Sequence, residues 1–108
     1  MSCVEVLPSH LIPIKDVNEE RVQQAGRFAV GENNKINEHR FIYKRVVNCL
    51  YNGIKASTHS TFIIVIEVIN DDGIPWSYIA KVQYHYWPFL RPPILCFFED
   101  VLKDFIKN

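Results

Sequence analysis

The side chains able to do chemistry in this chain are four histidines, three cysteines and an acidic cluster near the C-terminus. His10, His39, His59 and His85 are scattered over an N-terminal arm, a connection and two predicted strands, with no pair at metal-ligand spacing. No Gly-rich phosphate loop and no Gly-x-Ser-x-Gly elbow occurs. Cys3, Cys49 and Cys96 leave an odd thiol under any pairing and match no zinc spacing. The expectation is three reduced thiols, two of them buried as small hydrophobes, rather than the disulfide framework common in small secreted domains. A Cys/His dyad built on Cys49 or Cys96 would have to assemble in space, and nothing in the spacing supports one. Glu99, Asp100 and Asp104 sit beside Lys103 and Lys107, the composition of a solvated charged face rather than of paired catalytic carboxylates. The chain is therefore expected to be a non-enzyme without metal or cofactor.

Bulk composition narrows the partners. A length of 108 residues suits one domain over 1–108, and 48% hydrophobic with 22% charged residues is ordinary for a globular chain. Twelve basic and twelve acidic side chains cancel, so no broad basic field points to nucleic acid or an anionic membrane. Apolar runs such as Phe62-Ile63-Ile64-Val65-Ile66 are too short to span a bilayer. Nothing after Met1 resembles a signal peptide, so the chain is expected to be soluble, either cytoplasmic or secreted with its leader removed.

The elements that must position any functional residue follow from periodicity. Residues 1–10 show none and are expected to form a loose arm. Asn18 is a suitable helix N-cap, with Glu19 and Glu20 in the first turn where the macrodipole favours negative charge. Val17 and Val22 have the spacing of a hydrophobic staple. Val22, Ala25, Gly26, Ala29 and Val30 then form one narrow helical face, with Phe28 at its edge and Arg21, Gln23, Gln24, Arg27 and Lys35 elsewhere. So small a stripe lets a curved sheet approach closely, although each interior Gly costs about 1 kcal/mol of helix propensity.

After Asn37 the period changes. Phe41–Tyr51 and Ser57–Ile69 are rich in aromatic and β-branched residues, and Trp76–Trp87 alternates. Asn52-Gly53 predicts a type I′ hairpin turn, and Asn70-Asp71-Asp72-Gly73 a second turn. Pro88, Pro92 and Pro93 interrupt the ladder before a last strand over about Ile94–Phe98. Beyond it, Phe97, Phe98, Val101, Leu102, Phe105 and Ile106 recur at helical spacing with charges opposite, which predicts a short amphipathic C-terminal helix. Such a helix is marginal alone, so it either docks on the sheet or offers an apolar patch to a partner or a second copy. The fold class is α+β: one long helix packed on a curved antiparallel sheet of four to five strands.

Several short motifs in order carry a resemblance. Arg27-Phe28-Ala29-Val30-Gly31-Glu32-Asn33-Asn34-Lys35 is similar to the helix signature of plant cystatins, and the match continues through Pro13-Ile14-Lys15-Asp16-Val17, Tyr43-Lys44-Arg45-Val46-Val47, Tyr78-Ile79-Ala80-Lys81-Val82 and Trp87. These segments cover most of residues 9–98. The resemblance to this family of the cystatin/monellin superfamily implies the same α+β fold and a protein partner, a papain-like cysteine protease. Cystatins inhibit such proteases reversibly and competitively by inserting three segments into the cleft: a glycine-bearing arm, a first hairpin loop with Gln-x-Val-x-Gly, and a second loop bearing Pro-Trp.

Carried over without gaps, the arm corresponds to Ser9, His10, Leu11, Ile12 and Pro13, with Ser9-His10 where the family usually has Gly-Gly. The first loop corresponds to Asn52, Gly53, Ile54, Lys55 and Ala56, in which Asn replaces Gln, Ile replaces Val and Ala replaces the final Gly. The second loop corresponds to Tyr86, Trp87 and Pro88, where the Trp is kept. Two functions remain open at this point: a protease inhibitor weakened by divergent loops, and a non-inhibitory protein-binding module that kept the fold.

Overall fold

A helix, α1 (Glu20–Asn37), presents Val22, Ala25, Gly26, Ala29, Val30 and Asn33 as its buried face. The first five are the stripe expected from periodicity. In the computed structural model, which describes residues 3–53, 58–86 and 89–101, this face lies on a five-stranded antiparallel sheet of order β1-β2-β3-β4-β5. The strands are β1 (Ile12–Pro13), β2 (Ile42–Asn52), β3 (His59–Ile69), β4 (Pro75–His85) and β5 (Ile94–Asp100). The result is the expected α+β, cystatin-like arrangement.

The small helical stripe is what permits close packing. A Cβ placed on Gly26 would lie 2.5 Å from Val46 Cγ2 and 2.8 Å from Tyr43 Cε1, so the helix meets β2 at a distance only glycine allows. Under it, Val46, Cys49, Phe62, Ile64, Ile66, Val68, Ala80 and Val82 form the sheet's contribution to one core. An aromatic stack closes the core beyond the helix C-terminus, with Phe41–Tyr78 and Tyr78–Phe98 centroids 5.0 and 5.1 Å apart.

Local details depart from expectation at both helix ends. The cap is Glu19 rather than Asn18 and makes no side-chain cap bond. Asn18 instead donates its backbone N–H to Asp16 Oδ1 at 3.0 Å, an Asx turn that delays the helix. At the other end Glu38 takes a left-handed conformation, φ 56°. Asn34 then clamps the return of the chain, donating to Phe41 O at 2.9 Å and accepting the Phe41 N–H at 3.1 Å.

The turn expected at Asn70–Gly73 forms. Asn70 Oδ1 accepts the N–H groups of Asp72 and Ile74, each at 3.0 Å, and Gly73 supplies the positive φ of 76°. The type I′ turn expected at Asn52-Gly53 does not. Asn52 pairs with Thr61 in the β2–β3 ladder and neither Asn52 nor Gly53 has positive φ. The aromatic pair Tyr51–Phe62, centroids 4.9 Å apart, lies one step inside and fixes the register, so the connection runs over 53–58 instead.

Two expectations about the termini are also revised. The chain contains a disulfide, Cys3–Cys96, with Cα atoms 5.9 Å apart, and only Cys49 is free and buried. A bulge explains it: β4 and β5 pair as Lys81↔Phe97 and Val82↔Leu95, leaving Cys96 as the extra residue. Leu95 and Phe98 both pack on the core, so the bulge turns Cys96 away from it. Within the loose arm expected over 1–10, Cys3 is bonded to Cys96 and Val4 to Gln83, while Ser9 and His10 stay exposed. β5 runs on to Asp100, beyond the expected end at Phe98. The predicted C-terminal helix falls mostly on 102–108, outside the described residues.

Candidate functional site

The described parts of the three segments singled out from the sequence, 9–13, Asn52-Gly53 and Tyr86, lie at one end of the sheet. β1 pairs with the end of β2 through Ile12↔Tyr51 and Pro13↔Leu50, and Ile14 donates to Cys49 O at 3.0 Å. Antiparallel pairing carries residues 9–11 past Asn52 and Gly53. Tyr86, immediately after β4, donates its N–H to Thr58 O at 2.8 Å, which joins the start of the second loop to the residue that leads into β3.

Pro8–His10 form a short 3₁₀ turn that leaves Ser9 and His10 exposed. His10 donates to Leu7 O at 2.9 Å and the half-buried Leu11 to Pro8 O at 3.2 Å. Ile12 is 65% exposed despite its place in β1, and Pro13 is exposed too. Asn52 is buried and Gly53 exposed. Tyr86 is 45% exposed, and its hydroxyl is hydrogen-bonded to that of Ser60. Ile54, Lys55 and Ala56, with Trp87 and Pro88, lie outside the described residues.

Between the arm and the first loop lies an open recess of about 330 Å³ lined by Ser9, His10, Ile12, Tyr51, Asn52 and Gly53. A second, of about 140 Å³, lies toward the helix N-terminus and includes Arg21, Tyr51, Ser60, Phe62 and Tyr86. Tyr51 lines both and was not among the expected site residues. Its ring sits beneath the Arg21 guanidinium, 4.6 Å from the centroid, and its hydroxyl occupies the space a Cβ on Gly53 would need. Phe89 and Leu90, 66% and 74% exposed, follow the second loop in sequence and were missed as well. Their signal was present in the consecutive apolar residues following Trp87-Pro88.

Behind this edge a row of polar side chains is buried. Thr61 and Gln83 are inaccessible, and Gln83 Nε2 donates to Thr61 Oγ1 at 3.1 Å. His85 stacks on His59, centroids 5.8 Å apart, and its pKa is lowered by burial, then by His59 and Arg91. A neutral His85 therefore persists to lower pH than an ordinary histidine.

No cluster of three His, Cys, Asp or Glu able to hold a metal occurs among the described residues. Cys96 is taken up by the disulfide. Burial pushes the Cys49 thiol up to about 11, against a smaller downward pull from Arg21, the reverse of what an activated nucleophile requires. What the edge offers is exposed apolar side chains around concave backbone, suited to binding. No helix among the described residues is long and apolar enough to cross a membrane.

The fold and this edge define a cystatin-like arrangement of one helix on a five-stranded sheet with arm and loops at a common end. No protein-family model matches the chain, and no match is found among curated proteins.

Proposed function

We propose that this chain is a reversible, competitive inhibitor of papain-like cysteine proteases, with residues 9–13, 52–56 and 86–88 as a three-part wedge. The observation that carries this reading is the meeting of the arm, the end of β2 and Tyr86 at one end of the sheet. A plug of this kind needs no chemistry of its own. It needs apolar area, close backbone approach and a rigid support, and exposed Ile12, Tyr86, Phe89 and Leu90 supply the first of these. The Cys3–Cys96 disulfide fits a protein that works in an oxidising compartment.

Titration of papain, activated and then freed of reductant, is the test. Inhibition should be relieved by raising substrate concentration. Trp87→Ala should raise the inhibition constant by at least about thirtyfold, equivalent to the ~2 kcal/mol of a buried Trp anchor. No inhibition at high micromolar protein would leave the second reading, a non-inhibitory protein-binding module. One observation favours that second reading: Ser9 and His10 are wound into a 3₁₀ turn where the plant-cystatin pattern has two flexible glycines.

A further inference from the structure

The N-terminal arm has very little holding it. Val4 and Leu7 are 42% and 62% exposed, and the Pro8–His10 turn has no buried residue. Against that, the attachments of residues 3–8 to the sheet are few and specific. The Gln83 side-chain amide grips Val4 at two points, accepting its N–H at 2.8 Å and donating to its carbonyl at 2.5 Å. Lys81 Nζ donates to the same carbonyl at 3.5 Å. Val6 is half-buried, and a covalent attachment joins Cys3 to Cys96 across 93 residues of sequence.

The anchor side is built rigidly. Gln83 is fully buried and is oriented by Thr61 Oγ1 at 3.1 Å and His85 Nε2 at 3.2 Å. The β5 bulge lets Leu95 and Phe98 both pack against the core with Cys96 turned away between them. Cys3 and Cys96 are only half-buried, so a reductant can reach them, whereas Cys49 is sealed in the core. The bond thus joins a stable sheet to a weakly held strap.

We propose that Cys3–Cys96 is a redox-operated catch that seats the N-terminal arm and so sets the shape of the candidate binding edge. A dithiol reductant opens it. One reductant thiolate attacks a sulfur of the pair and releases the other protein sulfur, which takes up a proton. The second reductant thiol then displaces the mixed disulfide, leaving two protein thiols and the oxidised, cyclic reductant. Once the catch is open, the Gln83 grip, the Lys81 contact and the half-buried Val6 are left to hold residues 3–8, and Ser9 and His10 lose the fixed approach that forms one wall of the 330 Å³ recess. The consequence for protease binding rests on the proposed inhibitory function; the release of the arm does not.

The test compares air-oxidised protein with protein reduced by dithiothreitol, and with Cys3→Ser. Intact mass and thiol counting should find one free thiol in the oxidised form and three in the reduced. Hydrogen exchange at the Val4 amide should become at least about tenfold faster in the reduced protein and in Cys3→Ser, while Ile64 and Ala80 in the core strands keep their protection. Unchanged exchange at Val4 would overturn the catch, and so would three free thiols in the oxidised preparation. Acceleration that spreads equally to Ile64 and Ala80 would also overturn it, because the bond would then be a staple of the whole fold. If the wild type inhibits papain, oxidised and reduced forms should differ in inhibition constant with the protease held free of reductant. Equal constants would overturn the link to the edge, and absence of inhibition from both would sink the inhibitory function while the exchange result still decides the catch.

Discussion

Replacing Gly26 by Ala sets two effects against each other, and the structure decides between them. Alanine in a helix interior is favoured over glycine by about 1 kcal/mol. The new methyl, however, would lie 2.5 Å from Val46 Cγ2 and 2.8 Å from Tyr43 Cε1. Neither neighbour can move aside freely. Val46 is 1% exposed and stiff at χ1, and the Tyr43 ring is held by a hydrogen bond from its hydroxyl to Gln23 Oε1 and by the Arg27 guanidinium 5.7 Å from its centroid. The helix must therefore lift from β2, and overpacking of this kind costs about 1–3 kcal/mol, with the upper part of that range fitting two simultaneous clashes. The net loss is roughly 1–2 kcal/mol. For a domain of this size each kcal/mol moves Tm by about 4–8 °C, so Gly26→Ala should lower Tm by about 5–15 °C. Gly31→Ala is the internal control. No heavy atom lies within 4 Å of its Cβ position, so the propensity gain stands alone and Tm should rise by a few degrees, about 4–8 °C at most. Thermal unfolding followed by circular dichroism, with the disulfide kept oxidised in all three proteins, reads both shifts. A Gly26→Ala protein that gains as much as Gly31→Ala would refute the close approach of helix and sheet.

Other substitutions probe the connections. Asn34→Ala strips two hydrogen bonds from the backbone of Phe41, one from its N–H and one to its carbonyl. At about 1–3 kcal/mol per unsatisfied group, tempered by water reaching this half-buried site, the urea midpoint should fall by the equivalent of roughly 2 kcal/mol; a loss under about 0.5 kcal/mol would mean that water replaces the clamp. Asp71 Oδ1 accepts the Arg40 N–H at 2.6 Å and Oδ2 pairs with His39 Nδ1 at 2.7 Å, and these bonds, the Arg40 N–H first, hold its carboxyl below the ordinary value. Because the folded pKa is the lower one, its contribution is present above the unfolded value near pH 4 and is lost as pH falls through the folded value. Asp71→Asn should therefore flatten the acid limb of the stability curve, and an unchanged limb would assign that limb to other carboxylates.

Legibility in the sequence followed the range of the interaction. The buried face of α1 was read residue by residue because helical period is a local property, and the Asn70–Gly73 turn because Asn70 and Gly73 each act within four residues of themselves. Strand spans came within a few residues for the same reason. Asn52-Gly53 misled because a local turn preference competed with the pairing of Tyr51 on Phe62 and Asn52 on Thr61, and the ladder won. Cys3–Cys96 was illegible for two reasons together. The partners are 93 residues apart, and the bulge that turns Cys96 outward has no signature in the run Ile94–Asp100. The loose arm followed from the same gap, since neither the disulfide nor the Gln83 grip is visible without the fold. At the candidate site the chain order of the three segments was legible, but Tyr51, shared by both recesses, emerged only when β1 was laid beside β2.

The two ends of the sheet are built on different principles, and the difference bears on the proposed function. At one end β3 turns into β4 over Asn70–Ile74, where every bend is fixed by short bonds to Asn70 and by the left-handed Gly73. That backbone is satisfied locally, although Ile74 within it is half exposed. At the other end the arm enters beside the end of β2, exposed Ile12 lines the larger recess and Tyr86, just past β4, lines the smaller. Exposed Ile12 and Tyr86, held against the ends of eleven-residue strands, have the rigidity of the sheet beneath them. The disulfide bears on this same end, because the arm it seats reaches the edge through Pro8–His10 and β1. Under the proposed function, substitutions in the Asn70 turn should be felt as stability and those in 9–13 or 52–56 as binding, because the wedge segments belong to the second end.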